Sequence, residues 1–542
     1  MNNAILNFRE PLNEPVKQYL PGSTELQSLQ EELHRQSNQV IEIPLIIGGK
    51  EVFTGVINNV VMPHDHGHIL ARCHQATEKE VKMAIDAALE AKTAWMNLSW
   101  VERSSIMLKA AELLSTKYRN LLNAATMLGQ SKNIMQAEID SACESIDFLR
   151  FNTYYASKVY SSQPLSANGA INRVEHRPLE GFVYTITPFN FTSIALNLNT
   201  SVAQMGNTTV WKPATAAVLS NYYLMKVLME AGLPDGVINF VPGPGSTLSN
   251  TILAHPQMAG IHFTGSNVTF NRLWRQITDN LEKYRSYPKI VGETGGKDFI
   301  FVHQSADALE VATAIVRGSF EFQGQKCSAA SRSYVAASLW PKVKELILGM
   351  VSRIKMGDVN DKDNFVNAVI DEKAFNSIKS YIDFAKDAAD ATIVTGGVCD
   401  KSKGYFVTPT IIETTNPQFK TLTEEIFGPV MTVYVYEDAK YEETLKLCDA
   451  TSPYALTGAI FSRDRYAMMQ ASDILRYSAG NFYLNDKPTG AMVGQQPFGG
   501  ARGSGTNDKA GSELNLIRWV SPRTIKETLV AATDFPYPYM SK

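Results

Sequence analysis

The sequence predicts an α/β protein with two doubly wound units, each a mostly parallel sheet covered by helices on both faces. The chain has 542 residues, too many for one compact core, so more than one structural unit is expected. After Glu180, short β-rich runs alternate with helical segments at a spacing typical of βαβ units. The same alternation recurs from about Gly295 to Phe482. These two stretches predict the two sheets.

The overall composition excludes several classes of protein. Apolar residues make up 44% and charged residues 19% of the chain, which is ordinary for a soluble globular protein. The formal charge of −3 gives no electrostatic reason to expect a nucleic-acid or membrane partner. No apolar run approaches the roughly 18 residues that a membrane-spanning helix needs. The N-terminal stretch lacks the apolar core of a secretion signal, and it contains Glu10 and Glu14, which a mitochondrial presequence would avoid. We therefore expect a cytoplasmic protein, or a trimmed protein of the mitochondrial matrix if the source is eukaryotic.

The N-terminal third is predicted to be an arm followed by helices. The first forty or so residues are polar and contain several prolines, so we expect an arm that lies on a neighbouring surface. Thr77 and Glu80 have the spacing of a capping box, and Val81 and Ile85 then fall on one helical face. Helical periodicity continues, with breaks, to about Tyr160.

The rest of the chain alternates between strands and helices. Strands are predicted at residues 182–187, 208–211, 237–241 and 261–263, and then at residues 299–303, 392–395 and 431–436. Helices are predicted at residues 214–231 and 267–281. Ligands of parallel sheets bind at the carboxyl ends of the strands. The loops TPFN, WKPAT and FTGSN lie at such ends, so we expect the binding site there.

Two segments fit neither unit. Residues 161–178 are polar and poor in helix signals, and residues 523–539 alternate like a strand that leads into FPYPY. An exposed strand edge needs a partner. We therefore expect both segments to be ribbons that pair with another subunit.

The five cysteines are scattered along the chain, at positions 73, 143, 327, 399 and 448. None forms a CxxC pair or lies beside histidines at metal-ligand spacing. The pattern therefore predicts neither a disulfide framework nor a metal site. A functional cysteine has to be identified from its surroundings.

Seven short motifs follow one another in a fixed order. They are TPFN (187–190), WKP (211–213), FTGSN (263–267), GETGGKDF (292–299), GQKCSAASR (324–332), EEIFGPV (424–430) and QPFGGARGSG (496–505). No GxGxxG fingerprint follows the first strand of the sheet, so the standard dinucleotide loop is missing. Each motif alone would be weak evidence. In this order, with 34 positions between Glu293 and Cys327, they resemble the aldehyde dehydrogenase superfamily from about Gly48 to Thr524.

The catalytic residues implied by the resemblance suit aldehyde oxidation. Cys327 lies among small residues that let a substrate approach, and its thiolate can attack the aldehyde and leave a thioester. Lys326 can favour the thiolate only if it points inward. The resemblance assigns the oxyanion to the Asn190 amide and the Cys327 backbone N–H. Glu293, between glycines, matches the general base that activates water to hydrolyse the thioester.

The resemblance also implies a site for NAD, with NADP as the alternative. The implied cofactor residues are Thr187, Lys212, Gly265, Ser266, Asn267, Val268, Thr269, Glu425 and Phe427. The segment 265–269 opens a predicted helix, whose N-terminus favours a pyrophosphate. Lys212 matches a lysine that holds the adenosine ribose, and Glu425 matches a glutamate that holds the nicotinamide ribose. Many relatives have an acid three residues after the lysine, where this chain has Thr215, so the sequence leaves NAD and NADP both open.

Further details resemble the branch of the superfamily that oxidises L-glutamate γ-semialdehyde in proline breakdown. They are Phe270 in the glycine-motif helix, Ser328 after the cysteine, and the late loop KPTGAMVGQQPFGG. In that branch a serine and the backbone of a Gly-Ala pair hold the substrate α-carboxylate, and two aromatic rings flank its aliphatic chain. The matching residues are Ser328, Gly490, Ala491, Phe191 and Phe498. One hydroxyl and two N–H groups would give charge-assisted hydrogen bonds without a nearby cation.

The resemblance finally implies a domain plan and leaves alternatives for the function. Residues 1–160 and 179–294 would form the cofactor-binding domain, residues 295–495 the catalytic domain, and residues 161–178 and 510–542 an oligomerisation ribbon. A homodimer or an assembly of dimers is implied. The alternatives are a dehydrogenase for succinate semialdehyde or another small aldehyde, an inactive binding protein on the same scaffold, and a coenzyme-A-acylating relative. Cys327, Glu293 and Asn190 together argue against the inactive protein, and Glu293 argues against the acylating one.

Overall fold

Two seven-stranded sheets form the frame of the molecule. The computed structural model describes residue 6 and residues 8–540. The first sheet has, in spatial order, the strands Lys289–Glu293, Met258–Thr264, Phe182–Ile186, Thr209–Lys212, Ile238–Phe240, Leu45–Ile47 and Lys50–Val52. The first five strands run parallel, and the last two are antiparallel additions. The strand order reverses between Met258–Thr264 and Phe182–Ile186, which is where ligands of doubly wound sheets bind.

The second sheet repeats this plan with a different order. Its strands are Ala391–Thr395, Thr410–Thr414, Val430–Tyr436, Ala330–Ala336, Asp298–Val302, Thr457–Phe461 and Asn481–Leu484. All neighbours are parallel except the first pair. Doubly wound α/β architecture is therefore confirmed, and the predicted strands match observed ones to within a few residues.

Helices cover both faces of each sheet because successive strand side chains point in opposite directions. In the strand Phe182–Ile186, Phe182 and Tyr184 belong to one apolar cluster and Val183 belongs to another. In the strand Asp298–Val302, Ile300 and Phe301 are likewise in separate clusters. Near-continuous apolar strands of this kind need cover on both sides.

The α-helices of four or more residues have these bounds: Thr24–Ser37, Glu78–Asn97, Trp100–Ser115, Arg119–Gln130, Ile134–Ala137, Ser145–Ser161, Thr192–Gln204, Val218–Ala231, Gly245–Ile252, Asn267–Asp279, Ala308–Phe320, Trp340–Val351, Glu372–Asp387, Lys420–Thr423, Tyr441–Ala450, Arg465–Ile474 and Glu513–Leu516. A π-helical segment, Glu138–Glu144, joins two of them. The predicted capping box starts the second helix, where the Thr77 N–H donates to Glu80 Oε2 at 3.0 Å. A smaller three-stranded sheet contains Ile41–Ile43, Asp65–His74 and Ile57–Met62.

The expectation of an arm over the first forty residues is wrong for residues 24–37. Those residues form a helix capped by Ser23, whose Oγ accepts from the Leu26 N–H at 3.3 Å. Leu26, Leu29 and Leu33 are buried on one face of this helix. The polar composition concealed this narrow apolar stripe. Residues 8–22 do form an extended segment that lies on the protein surface.

The two ribbon segments pair with each other within one chain. The strand Ala170–Pro178 runs antiparallel to Val520–Thr528 over nine residue pairs. The predicted strand at 523–539 therefore starts earlier and ends at Thr528, and FPYPY leads only into a short 3₁₀ turn, Pro538–Met540. Pairing with another subunit and the three domain boundaries stay predictions.

Candidate active site

The three predicted catalytic residues converge between the two sheets. Glu293 ends the strand Lys289–Glu293, and Asn190 lies in the loop between the strand Phe182–Ile186 and the next helix. Cys327 comes from the other unit, in the loop that leads into Ala330–Ala336. The Cys327 thiol donates a hydrogen bond to Glu293 Oε1 at 3.5 Å. The predicted nucleophile and the predicted base, from distant parts of the sequence, are therefore in contact.

Burial changes the acidity of both groups. Removal from bulk water raises the pKa of Glu293 to about 7. Burial, and then the Glu293 charge, raise the pKa of the Cys327 thiol well above its usual range. Both effects disfavour the charged forms. The resting pair can hold its proton on sulfur or on the carboxyl oxygen, and Glu293 lies where it can receive the thiol proton.

Lys326 does not activate the thiol. Its Nζ forms an ion pair with Glu321 Oε2 at 3.0 Å, and both side chains are almost fully buried. Arg317 pairs with the same carboxylate at 2.9 Å. The Lys326 side chain is therefore directed to Glu321 and not to Cys327, although the two residues are neighbours in the sequence.

The Asn190 amide reaches the loop of the nucleophile. Its Nδ2 donates to the Gln325 carbonyl at 3.1 Å, two residues before Cys327. The preceding residue is fixed by Gln130, whose Nε2 donates to the Phe189 carbonyl at 2.6 Å. The Asn190 amide is therefore buried and oriented by one side-chain hydrogen bond, and the backbone before it is fixed by another, as the predicted oxyanion donor requires.

A buried ion pair supports the same loop from the other side. Asp140 accepts from the backbone N–H groups of Thr192 and Ser193 at 3.0 and 2.8 Å, at the start of the helix that follows Asn190. Lys132 Nζ pairs with the Asp140 carboxylate at 2.6 Å and lies 4.1 Å from the centre of the Phe191 ring. Sequence reasoning missed this pair, because charged residues in a helical run are usually exposed and no motif marks them.

The predicted cofactor residues line the carboxyl edge of the first sheet. Ser266 caps the helix Asn267–Asp279, and its Oγ accepts from the Thr269 N–H at 3.3 Å. Val268 is 79% exposed in the first turn, which leaves that helix end open to a ligand. Asn267 instead points away, donating through Nδ2 to the Gly503 carbonyl at 2.7 Å. Gly265 lies against the Phe263 ring, and a Cβ at this position would be 2.8 Å from it.

Thr187, Lys212 and the pair Glu425 and Phe427 come from three separate segments. Thr187 Oγ1 accepts from the Trp211 indole at 2.9 Å, so its side chain is fixed. Lys212 Nζ donates to the Pro213 carbonyl at 3.1 Å, and burial lowers its pKa. Glu425 Oε1 accepts from the Gly296 N–H at 3.0 Å, and burial raises the pKa of that carboxyl to about 7. Phe427 has a positive φ of 57° and packs edge-on against another ring.

One cavity of about 680 Å³ contains the proposed substrate site. Its lining includes Cys327, Glu293, Phe191, Ser328, Gly490, Ala491 and Phe498. The Ser328 and Thr489 hydroxyls are 2.8 Å apart, which brings the hydroxyl beside the nucleophile to the start of the Gly-Ala loop. Gly490 has a φ of +94°, which favours glycine. The cavity thus joins the thiol to the predicted carboxylate anchor.

The expectation of an anchor without a nearby cation is wrong. Lys487 Nζ donates to the Thr489 carbonyl at 2.8 Å and also lines the cavity. Burial lowers the pKa of Lys487, while Glu321 opposes that shift. A lysine in the late loop KPTG was visible in the sequence, but nothing indicated which way it would point.

Within residues 6 and 8–540, no group of three or more His, Cys, Asp or Glu side chains is arranged to hold a metal ion. No helix in this described part of the chain is long and apolar enough to cross a membrane.

The fold and this site define the class of protein. The profile of the aldehyde dehydrogenase family matches residues 55–525, so the chain belongs to that family. It is 52% identical over 540 residues to a mitochondrial delta-1-pyrroline-5-carboxylate dehydrogenase of Dictyostelium discoideum, covering 99% of this chain and 97% of that relative. The human mitochondrial protein of the same name is 47% identical over 529 residues, with 97% and 94% covered. The crystal structure of the delta-pyrroline-5-carboxylate dehydrogenase from Mycobacterium tuberculosis bound with NAD has a TM-score of 0.96 and 49% identity, with both chains fully covered.

Proposed function

We propose that this protein oxidises L-glutamate γ-semialdehyde to L-glutamate with NAD, in proline breakdown. The semialdehyde is the hydrolysed, open form of 1-pyrroline-5-carboxylate, the compound that the relatives are named for. The observation that carries the proposal is the single cavity that joins the Cys327 thiol to the Ser328, Gly490 and Ala491 anchor. A substrate with an aldehyde at one end and a carboxylate at the other matches these two features.

The residues present fit NAD. A buried carboxyl at Glu425 suits a ribose hydroxyl pair: burial raises its pKa to about 7, and the Gly296 N–H and the Lys297 charge only partly oppose that shift. Lys212 and the exposed start of the helix Asn267–Asp279 suit the adenosine ribose and the pyrophosphate. When bound, NAD supplies a hydride acceptor. The NAD-bound relative from M. tuberculosis supports NAD over NADP.

The first half-reaction begins at sulfur. Cys327 Sγ attacks the aldehyde carbon while its proton passes to Glu293 across their hydrogen bond. The carbonyl oxygen becomes an oxyanion, to which the Asn190 amide and the Cys327 N–H donate. Loss of a hydride from this tetrahedral carbon restores the carbonyl as a thioester on Cys327.

The second half-reaction needs water and a base. Glu293, once it has released the proton from the thiol, removes a proton from a water molecule that attacks the thioester carbon. The carbon–sulfur bond breaks, the carboxylic acid leaves, and the thiol regains its proton. One aldehyde, one NAD and one water therefore give one carboxylate, one NADH and two protons.

Steady-state NADH formation by the purified protein tests the substrate. We expect kcat/KM for L-glutamate γ-semialdehyde to exceed the values for succinate semialdehyde and propanal. Succinate semialdehyde also carries a carboxylate, on a shorter chain without an amino group, so it is the strictest comparison. A higher kcat/KM for succinate semialdehyde would show that the proposed substrate is wrong. A higher kcat/KM for propanal would show that the site does not bind a substrate carboxylate.

We also propose an assembly and a location. The ribbon of Ala170–Pro178 and Val520–Thr528 projects exposed side chains on most of its length, which supports a homodimer or an assembly of dimers. The names of the Dictyostelium and human relatives include the word mitochondrial, which supports the mitochondrial matrix as the location if the source is eukaryotic.

A further inference from the structure

An extended N-terminal segment forms part of the wall of the substrate cavity. This segment, residues 13–19, is called the strap below. Glu14, Val16 and Tyr19 of the strap line the same cavity as Cys327 and Ala491. The strap therefore borders the proposed substrate site.

Asn13 ties the strap to the proposed anchor loop. Its Nδ2 donates to the Val493 carbonyl at 2.8 Å, two residues after Ala491. Its Oδ1 accepts from Gln495 Nε2 at 2.8 Å. The same Nδ2 also donates to Asp147 Oδ2 at 2.7 Å. One side chain thus holds the anchor loop at two points and fastens it to a helix.

The strap is itself firmly attached. The Glu14 N–H donates to Asp147 Oδ1 at 2.7 Å. The two Glu14 carboxylate oxygens pair with Arg119 at 2.6 Å and with Arg150 at 2.7 Å. Arg119 is buried, and charge-assisted bonds away from water are the stronger kind.

A second attachment lies at the other end of the strap. The Lys17 N–H donates to Glu138 Oε1 at 2.9 Å, and the Tyr19 hydroxyl donates to Glu138 Oε2 at 2.8 Å. Glu138 is fully buried in the π-helical segment. The strap is therefore held at both ends, and Asn13 connects the anchor loop to a fixed part of the structure.

The anchor loop needs such support. Gly490 has a positive φ and, as a glycine, a backbone that can adopt many conformations, and the Met492 side chain is exposed. On the strap side, Val493 packs against Phe148 and Phe151. Backbone N–H groups can hold a carboxylate only if the loop keeps them pointed at one place.

We infer that Asn13 is a positioning residue for carboxylate-bearing aldehydes, because it fixes the loop that receives the substrate carboxylate. This inference rests on the proposed function, since it assumes that the Gly490–Ala491 loop is the anchor. Asn13 does not touch the reacting atoms. Its contribution should appear in substrate binding and not in the chemical steps.

The test compares Asn13→Ala with wild type on L-glutamate γ-semialdehyde and on propanal. We expect KM for the semialdehyde to rise by up to about tenfold, the size of effect expected when an ordinary hydrogen bond that holds the anchor loop is lost, with kcat nearly unchanged. Propanal has no carboxylate, so its kcat/KM should stay at the wild-type value. Leu12→Ala is the matched control, because Leu12 adjoins Asn13 and its side chain is 78% exposed. Equal losses on both aldehydes, or none, would overturn the inference.

Gln495→Ala provides a second variant that removes one bond from the loop side. It should raise KM for the semialdehyde in the same direction, and its effect should not add fully to that of Asn13→Ala, since the two residues share that bond. If the effects of the two substitutions on KM add fully, or if Gln495→Ala has no effect, the strap does not position the anchor loop.

If wild type prefers succinate semialdehyde, the proposed function fails, and the same comparison of variants is made with that substrate. If wild type shows no preference for either carboxylate over propanal, both proposals are overturned.

Discussion

At the scale of single residues, the hydrogen bond between Cys327 and Glu293 couples the ionisation of both groups. Each is removed from bulk water, and a charge on one disfavours a charge on the other. The thiolate and not the thiol is the nucleophile, so the proton has to leave sulfur before or during the attack on the aldehyde. The base then has to be regenerated before water is activated, so the ionisation of Glu293 sets the pH range of turnover.

We expect kcat to fall as the pH drops below about 7. Burial raises the Glu293 pKa to about 7, so the carboxylate is mostly ionised above that pH and mostly protonated below it. Only the ionised form accepts a proton from thiol or water, so activity is gained as the pH rises through 7 and lost as it falls. The measurement is a pH profile of kcat for wild type and Glu293→Gln. If kcat of Glu293→Gln falls at acid pH in the same way as kcat of wild type, the ionisation of a group other than Glu293 controls the rate.

The predicted carboxylate anchor is tested at Ser328. Removal of a hydrogen bond to a charged group costs roughly 1.5–3 kcal/mol, so Ser328→Ala should lower kcat/KM for L-glutamate γ-semialdehyde by about 10- to 150-fold. Propanal, which makes no such contact, should be nearly unaffected. Because Ser328 adjoins the nucleophile, a distortion of Cys327 would slow both aldehydes alike. Equal losses in the two steady-state assays would therefore contradict the anchor.

Motif order was sufficient to predict that Cys327, Glu293 and Asn190 lie together, since their spacing and identity are visible in the sequence. The supporting residues were not predictable in this way. Lys132 and Asp140 reach the Asn190 loop across about fifty positions, and Lys487 lies beneath the anchor loop. Their roles depend on which side of a helix or loop is buried, and a charged residue by itself indicates exposure.

At the scale of elements, the loop 189–191 is held between the end of a strand and the start of the helix Thr192–Gln204. Asp140 caps that helix and pairs with Lys132, and both side chains are only 1% exposed. A helix start that is fixed by a buried carboxylate also fixes the residue just before it. The oxyanion donor thus depends on residues of another helix.

Asp140→Asn should therefore weaken both stability and catalysis. It leaves Lys132 buried without a counter-charge, which costs about 3–5 kcal/mol in the free energy of unfolding. It should also lower kcat for the semialdehyde and for propanal alike, by no more than the roughly 10²–10³-fold that loss of an oxyanion donor costs. Urea unfolding and steady-state kinetics provide the two measurements. Lys132→Met combined with Asp140→Asn should recover much of the stability, and an unchanged midpoint for the single variant would refute the role of the pair.

The ribbon is the element most suited to contact another subunit. Beyond its last strand residue, Thr528, apolar side chains are exposed, among them Val530 at 83% and Phe535 at 88%. Exposed apolar side chains that lie close together in the sequence are typical of a surface that another subunit covers. Deleting residues 523–539 should give monomers by light scattering. An oligomer of unchanged mass would place the subunit interface elsewhere.

Periodicity predicted the strands of both sheets because each is a continuous apolar run bounded by turn residues. It missed the helix Thr24–Ser37, where three leucines are the only apolar residues of the buried face and Gln36 is buried beside them. The mutual pairing of Ala170–Pro178 and Val520–Thr528 was also missed, since the two strands are more than 300 positions apart and alternation identifies a strand without its partner.

At the scale of the whole molecule, the site exists only because two doubly wound units face each other. Glu293 and Asn190 extend from the first sheet, and Cys327 extends from the second. The cavity between them is also bordered by the N-terminal strap. No sequence pattern specifies how two sheets are oriented, so the contact between base and nucleophile was an expectation from family resemblance alone.

The most direct test of the proposed mechanism is a single-turnover experiment on Glu293→Gln. Mixed with NAD and L-glutamate γ-semialdehyde, this variant should release a burst of about one NADH per active site, slower than the wild-type burst because the thiol has to lose its proton to water instead of to Glu293. It should then turn over more slowly still, because hydrolysis of the thioester lacks its base. Mass spectrometry of the quenched protein should find one glutamyl group on the peptide that contains Cys327, and Cys327→Ala should give neither burst nor adduct while still binding NAD. A folded, NAD-binding Glu293→Gln variant without a burst, or an adduct on any other residue, would contradict a thioester on Cys327 that Glu293 resolves.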